Sequence, residues 1–167
     1  MPGVVGFATQ QIGKQLGDGE CTRLVEQALT QAGFKTAVDF GVVGNNADYV
    51  WGTLVSLDAA RPGDIIQFRN HEMEVWKVKD GSDLSATVYR RPHHSAILMG
   101  KRFRTDDFNR PYWELVIYEQ NQAGVRHVVK SIIQLQKSTH VFADGYEKQV
   151  RVSGSAKIYH PVPLATP

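Results

Sequence analysis

The stretch Gly17-Asp18-Gly19-Glu20-Cys21-Thr22-Arg23-Leu24-Val25 joins a glycine-rich loop to an amphipathic segment and carries the only cysteine of the chain. Over residues 21–32 the apolar residues fall at helical spacing, and Gly33 follows as a typical C-terminal glycine. A helix N-terminus has unpaired N–H groups and partial positive charge, and both favour an anion. A thiol at this position therefore favours the thiolate form, which is the nucleophile. The competing interpretation is a small buried hydrophobic residue, because free cysteine is often buried.

The composition is that of an ordinary globular protein. A chain of 167 residues suits one domain with a sizeable core, so we expect a single domain over residues 1–167. The net charge is +2, and basic and acidic residues alternate rather than gather, which argues against a nucleic-acid partner. One cysteine excludes a disulfide within the chain and gives no sign of an oxidising compartment.

Localisation stays open at this level. No apolar stretch approaches the roughly 20 residues that span a bilayer, so we expect no membrane span. The first residues lack the basic start and apolar core of a signal peptide, which leaves the cytoplasm or export without a cleaved signal.

Helical patterns come first and strand patterns follow, which predicts an α+β fold. Helices are predicted over residues 4–16, over 21–32 and, shorter, over 49–55. The turn Pro62-Gly63-Asp64 opens the strand region, and Asp80-Gly81 is a typical hairpin dipeptide. The predicted strands are 65–68, 74–79, 86–90, 95–99, 112–118, 125–133 and 150–159.

A thiol nucleophile needs a base, and His94 has the best context among the six histidines. It begins the apolar run Ser95-Ala96-Ile97-Leu98, so we expect its side chain at a sheet edge on rigid backbone. His93 is then expected on the opposite face, since side chains alternate along a strand. A lone histidine is nevertheless more often structural than catalytic.

Glu119-Gln120-Asn121 ends the next predicted strand and supplies groups that orient an imidazole. Glu119 and Asn121 are two residues apart, so a continuing strand would place them on one face. A carboxylate or amide there would accept the imidazole N–H and hold the tautomer that faces Cys21. Taken alone, the segment also fits a polar strand end with a turn-forming asparagine.

These residues occur in an order that resembles the CHAP family, the cysteine- and histidine-dependent amidohydrolases/peptidases related to NlpC-type cell-wall peptidases. The landmarks are Cys21 after its glycine-rich loop, Gly44-Asn45-Asn46-Ala47 followed by Trp51, Pro62-Gly63-Asp64-Ile65, His94-Ser95-Ala96-Ile97, Glu119-Gln120-Asn121 and the closing Lys157-Ile158-Tyr159-His160-Pro161. The resemblance covers residues 17–161. It implies a papain-like fold, with N-terminal helices packed on an antiparallel sheet, and cleavage of amide bonds, typically in peptidoglycan.

The resemblance also implies site roles. Cys21 is the nucleophile, His94 the base, and Glu119 and Asn121 assist. Gln15, six residues before Cys21, has the spacing of the oxyanion-hole glutamine of papain-type enzymes.

Other features of the sequence concern the substrate cleft and leave the order of Cys21, His94 and Glu119 along the chain unchanged. Trp51 and Trp113 are candidate cleft walls, although buried tryptophan is the default. The chain departs from the family in having Arg23-Leu24 after the cysteine and insertions around 69–92 and 101–113. The basic runs Arg90-Arg91 and Lys101-Arg102-Phe103-Arg104 are interpreted as a solvated face, with attraction of an anionic substrate or partner as the alternative.

Several alternatives remain open. A zinc hydrolase built from His71, Glu72, His93, His94 and Glu119 is disfavoured, because no His-Glu-x-x-His or paired-cysteine spacing occurs, so we expect no metal and no cofactor. An acyl transferase or deamidase would use the same residues, since the triad does not determine the acceptor. A non-catalytic papain-like binding module is the third alternative. For the hydrolase we expect a monomer that acts on peptidoglycan or another amide.

Overall fold

The structure is a computed structural model that describes residues 2–165. Two helices, α1 (Pro2–Gln10) and α2 (Cys21–Gln31), come first, and a short 3-10 helix covers Ala37–Phe40. Seven strands follow: β1 (Thr53–Val55), β2 (Ile65–Lys79), β3 (Ser82–Thr105), β4 (Pro111–Glu119), β5 (Val129–Gln134), β6 (Ser138–Val141) and β7 (Tyr146–His160).

The strands form one antiparallel sheet in the order β1-β7-β2-β3-β4-β5, with β6 paired to β7. The long strands β2 and β3 form a hairpin around Asp80-Gly81, as the sequence predicts. At the start of β2, the buried Asp64 carboxylate accepts hydrogen bonds from the Arg61 N–H at 2.9 Å and pairs with His160 Nδ1 at 2.6 Å. This contact joins the beginning of β2 to the end of β7.

The helices cover one face of the sheet. Leu24, Val25, Ala28 and Leu29 of α2 are buried and belong to a hydrophobic cluster that also contains Ile65, Ile97 and Tyr118 of the sheet. Ile66, Ala96, Leu98 and Ile117 belong to a second cluster. Neighbouring strand residues thus enter different clusters, as the twofold alternation of a strand requires. The fold is α+β, mostly antiparallel sheet with two short helices.

Some predicted boundaries are wrong. The first helix ends at Gln10 rather than residue 16, because Gly13 and Gly17 take positive φ angles of 80° and 56°. Residues 49–55 are not helical, since Thr53–Val55 is a strand paired with β7. The insertion over 69–92 is an extension of the β2–β3 hairpin.

His94 lies within β3, opposite Phe68 of β2, and so inside the sheet rather than at its edge. Among residues 2–165, no helix is both long and apolar enough to cross a membrane.

Candidate active site

Cys21 is the first residue of α2, and its side chain is near the protein surface but mostly covered, with 8% of the residue exposed. Glu20 is the N-cap residue in an extended conformation, and no side chain caps the helix. The thiol therefore lies where the helix dipole and the first N–H groups favour negative charge. The predicted helix start at Cys21 is confirmed.

Gln120, immediately after β4, holds the loop that leads to Cys21. Its Oε1 accepts the Leu16 N–H at 2.8 Å, and its Nε2 donates to the carbonyl oxygens of Leu16 at 3.1 Å and Glu20 at 2.8 Å. Gln120 is fully buried, so these hydrogen bonds are shielded from water. One side chain thus ties the end of β4 to the backbone of the residue before Cys21.

His94 and Glu119 form a buried pair, so of the two candidate partners Glu119 and Asn121 it is the carboxylate that contacts the imidazole. The two side chains come from the neighbouring strands β3 and β4, and His94 Nε2 lies 2.9 Å from Glu119 Oε2. Glu119 is fully buried and His94 is 4% exposed. Because Nε2 is engaged with the carboxylate, Nδ1 is the ring nitrogen left to interact with Cys21.

Arg91 is a partner of Glu119 that the sequence interpretation placed on a solvated face. Its Nε donates to Glu119 Oε2 at 2.8 Å and its Nη2 to Oε1 at 2.7 Å, a bidentate pair in which both residues are at most 2% exposed. The Arg91 guanidinium also lies over the Phe68 ring, 5.7 Å from its centroid. The adjacent Arg90 is exposed and pairs with Glu72 at 2.7 Å.

The electrostatics of the site favour a protonated His94 beside an ionised Glu119. Burial lowers the pKa of His94, but hydrogen bonding and charge attraction from Cys21 and Glu119 outweigh it and raise the pKa to about 9. Burial raises the pKa of Glu119, but hydrogen bonds from His94 and Arg91 outweigh it and lower the pKa to about 2. At neutral pH, His94 therefore carries a proton and Glu119 is ionised.

A cavity of about 400 Å³ opens beside the thiol. It is lined by Asp18, Glu20, Cys21, Thr22, Arg23, Glu26, Asn45, Tyr49 and His93. The Tyr49 ring lies 5.4 Å from the His93 ring, and the Tyr49 hydroxyl donates to the Gly44 carbonyl at 2.8 Å. Burial, followed by the nearby Cys21, raises the pKa of Tyr49. The loop over residues 44–49 therefore forms one wall of the cavity.

Two predicted site residues lie elsewhere. Asn121 follows the end of β4 with a φ of 64°, so it does not share a face with Glu119, and its amide donates to Glu20 Oε2 at 2.9 Å. It fixes the residue before Cys21 and does not contact the imidazole. Gln15 is exposed, and its Nε2 turns back to the Gly17 carbonyl at 3.4 Å. It does not line the cavity beside Cys21.

The tryptophans are not cavity walls. Trp51 is fully buried in the helix-side core, and its Nε1 donates to Gln67 Oε1 at 3.0 Å. Trp113 donates to Asp58 Oδ1 at 3.1 Å and lies beneath Lys101 Nζ, 4.4 Å from its ring centroid. Within the described part of the chain, no group of three or more His, Cys, Asp or Glu side chains is arranged to hold a metal ion.

A family model described as the AIM3/BBC1 cysteine proteinase-fold domain matches residues 2–166. No curated protein and no solved structure matches the chain. The papain-like part of the predicted resemblance is thereby confirmed. The narrower assignment to the CHAP and NlpC-type peptidases is not supported by this match.

Proposed function

The chain belongs to the AIM3/BBC1 cysteine proteinase-fold domain family, and on that premise we propose that it is a cysteine hydrolase of amide bonds. The observation that carries the proposal is the buried chain of contacts in which Arg91 holds Glu119 and Glu119 holds His94, whose pKa the nearby Cys21 also raises. A nucleophile, a base and a group that orients the base are the elements of a thiol hydrolase.

The proposed reaction begins with attack of the Cys21 thiolate on an amide carbonyl carbon. The carbonyl π electrons move to oxygen and form a tetrahedral oxyanion, which the Cys21 backbone N–H at the helix N-terminus is placed to stabilise. His94 then transfers its proton to the leaving nitrogen, the C–N bond breaks, and an acyl thioester remains on Cys21. Neutral His94 next takes a proton from water, which attacks the thioester, and the carboxylic acid leaves as the thiolate re-forms.

Glu119 and Arg91 serve this cycle by position and charge. The Glu119 carboxylate accepts from Nε2, so the imidazole is held with Nδ1 towards the thiol and its cationic form is stabilised. Arg91 engages both carboxylate oxygens and so prevents rotation of Glu119 away from His94. Neither residue touches the substrate in this scheme, and both are positioning residues.

The catalytic residues do not determine which molecule attacks the acyl thioester in the second half of the reaction. An amine in place of water would give an acyl transferase, and a side-chain amide as substrate would give a deamidase, because the same residues serve all three. Water is the proposed acceptor because the cavity beside Cys21 is open and lined largely by polar and charged side chains. Peptidoglycan is the proposed first substrate to test, carried over from the resemblance of the sequence.

The test incubates wild-type protein and the Cys21→Ala variant with purified peptidoglycan and, separately, with an unfolded protein, and then analyses released fragments by mass spectrometry. We expect Cys21-dependent fragments with one water added per cleavage, and a loss of about 10²–10⁴-fold in rate for His94→Gln. Fragments from neither substrate, together with no acyl adduct on Cys21, would contradict the hydrolase and favour the non-catalytic binding module.

A further inference from the structure

A second cavity, of about 520 Å³, lies among the strands of the sheet and does not include Cys21. We call it the sheet cavity; its lining includes Met73, Arg91, Ile132, Gln134, Lys148 and Val150. Its volume is within the range of small-molecule binding sites. The cavity therefore has the size of a ligand site, and what it binds depends on the groups in its wall.

Arg91, one of the residues that line this cavity, has an unused hydrogen-bond donor. Its Nε and Nη2 are occupied by Glu119, whereas Nη1 is buried and has no hydrogen-bond partner within residues 2–165. A guanidinium is planar and has a second edge, formed by Nη1 and Nη2, that can take another carboxylate. Arg91 is 2% exposed, so this donor is a buried cationic group that belongs to a residue of the cavity wall.

The rest of the wall combines positive charge with apolar surface. Lys148 is exposed at the cavity and makes no ion pair in the described residues. The one carboxylate in the lining, Glu114, lies 3.7 Å from Arg104, which offsets its charge. Met73, Ile133 and Val150 are buried apolar residues of the wall. A ligand that fits has a single carboxylate and an aliphatic tail.

We propose that the sheet cavity binds an aliphatic monocarboxylate, with the carboxylate on the free edge of Arg91 and the tail against Met73, Ile133 and Val150. The ligand satisfies the buried Nη1 donor and removes apolar surface from water. Because Arg91 also holds Glu119, the proposed site adjoins the buried Arg91–Glu119 pair. Binding requires neither Cys21 nor turnover, so this proposal and the proposed hydrolase activity can fail independently.

The test uses octanoate as the probe and octan-1-ol as the uncharged control. Protein labelled with carbon-13 in its methionine methyl groups is titrated with each compound and followed by NMR. Met73 lines the sheet cavity, while Met99 packs against the helix-side core and serves as an internal reference. We expect a saturable shift of Met73 alone, with a Kd for octanoate in about the millimolar range or tighter and at least about tenfold below that of octan-1-ol.

Single-residue variants test where the carboxylate of octanoate binds. Arg91→Met should abolish the preference for octanoate over octan-1-ol. If Arg91→Met fails to fold, Ile132→Glu serves instead, because it places a negative charge at the exposed rim of the cavity. The affinity for octanoate should then fall about two- to fivefold. Val141→Glu, at another exposed apolar strand residue that lies outside the cavity, should have no effect on octanoate binding. Any of three results would overturn the proposal: no saturable shift of the Met73 signal, equal affinity for octanoate and octan-1-ol, or an equal loss of octanoate affinity in Ile132→Glu and Val141→Glu.

Discussion

The neighbouring residues Arg90 and Arg91 provide a matched test of the buried ion network. Arg91→Met replaces the guanidinium that lies over Phe68 with an apolar group and removes two charge-assisted hydrogen bonds, of 2.8 and 2.7 Å, from a fully buried carboxylate. Breaking a buried pair from one side leaves the other charge uncompensated, which costs about 3–5 kcal/mol of unfolding free energy. Arg90→Met breaks an exposed pair with Glu72 and should cost about 0–1 kcal/mol.

Urea denaturation at pH 7, followed by tryptophan fluorescence, measures both variants. With a slope of about 2 kcal/mol per molar urea, the Arg91→Met midpoint should fall by about 1.5–2.5 M, and that of Arg90→Met by under about 0.5 M. The double variant Arg91→Met/Glu119→Gln should be less destabilised than the sum of the two single variants, because it removes both charges together. Equal losses for Arg90→Met and Arg91→Met would refute the assignment of Arg91 to the network.

Three further predictions concern histidine titration and the loop before Cys21. The pKa of His94 is raised to about 9, so its stabilising contribution is complete below pH 6.5 and is lost as pH rises through 9; His94→Gln should flatten that alkaline fall in urea denaturation. Burial lowers the pKa of His71 to about 4, so stability should fall as pH drops from 6.5 towards 4, and His71→Phe should flatten the loss over this range. Gln120→Ala removes three hydrogen bonds to the loop before Cys21; amide exchange should accelerate at Leu16 and stay unchanged at Leu98, and equal acceleration at both would indicate global destabilisation instead.

The local sequence pattern was sufficient to predict those parts of the site that lie within a single helix or strand. Helical periodicity and the glycines before it predicted the start of α2 at Cys21, and the apolar run after His94 predicted its strand. Glu119 was a candidate partner of His94, together with Asn121, because both come at the end of the next predicted strand. These are features in which the nearest residues in sequence determine the conformation.

Features that depend on distant contacts were missed. Arg90 and Arg91 are identical in type and adjacent, and only the packing of β3 against β4 and Phe68 makes one of them a buried partner of Glu119. Asn121 was predicted to share the face of Glu119, but the strand ends there and a positive φ redirects it to Glu20.

Residues 49–55 had an apolar pattern consistent with a helix, yet the segment is extended. Gly52 has a φ of 154° and approaches the His160 carbonyl so closely that a Cβ would clash with it. Thr53 pairs with His160, a partner more than a hundred residues away, and this pairing determines β1. Local periodicity carries no signal of such a contact.

The most direct test of the central claim is the pH dependence of iodoacetamide alkylation, which reports on Cys21 alone because the chain has one cysteine. A thiolate stabilised by the His94 imidazolium should react at a nearly constant rate from about pH 6 to 8. His94→Gln should confine reaction to alkaline pH, while His93→Gln should keep the wild-type profile. A wild-type rate that rises only around pH 8.5, as for an unpaired thiol, would contradict the proposed nucleophile.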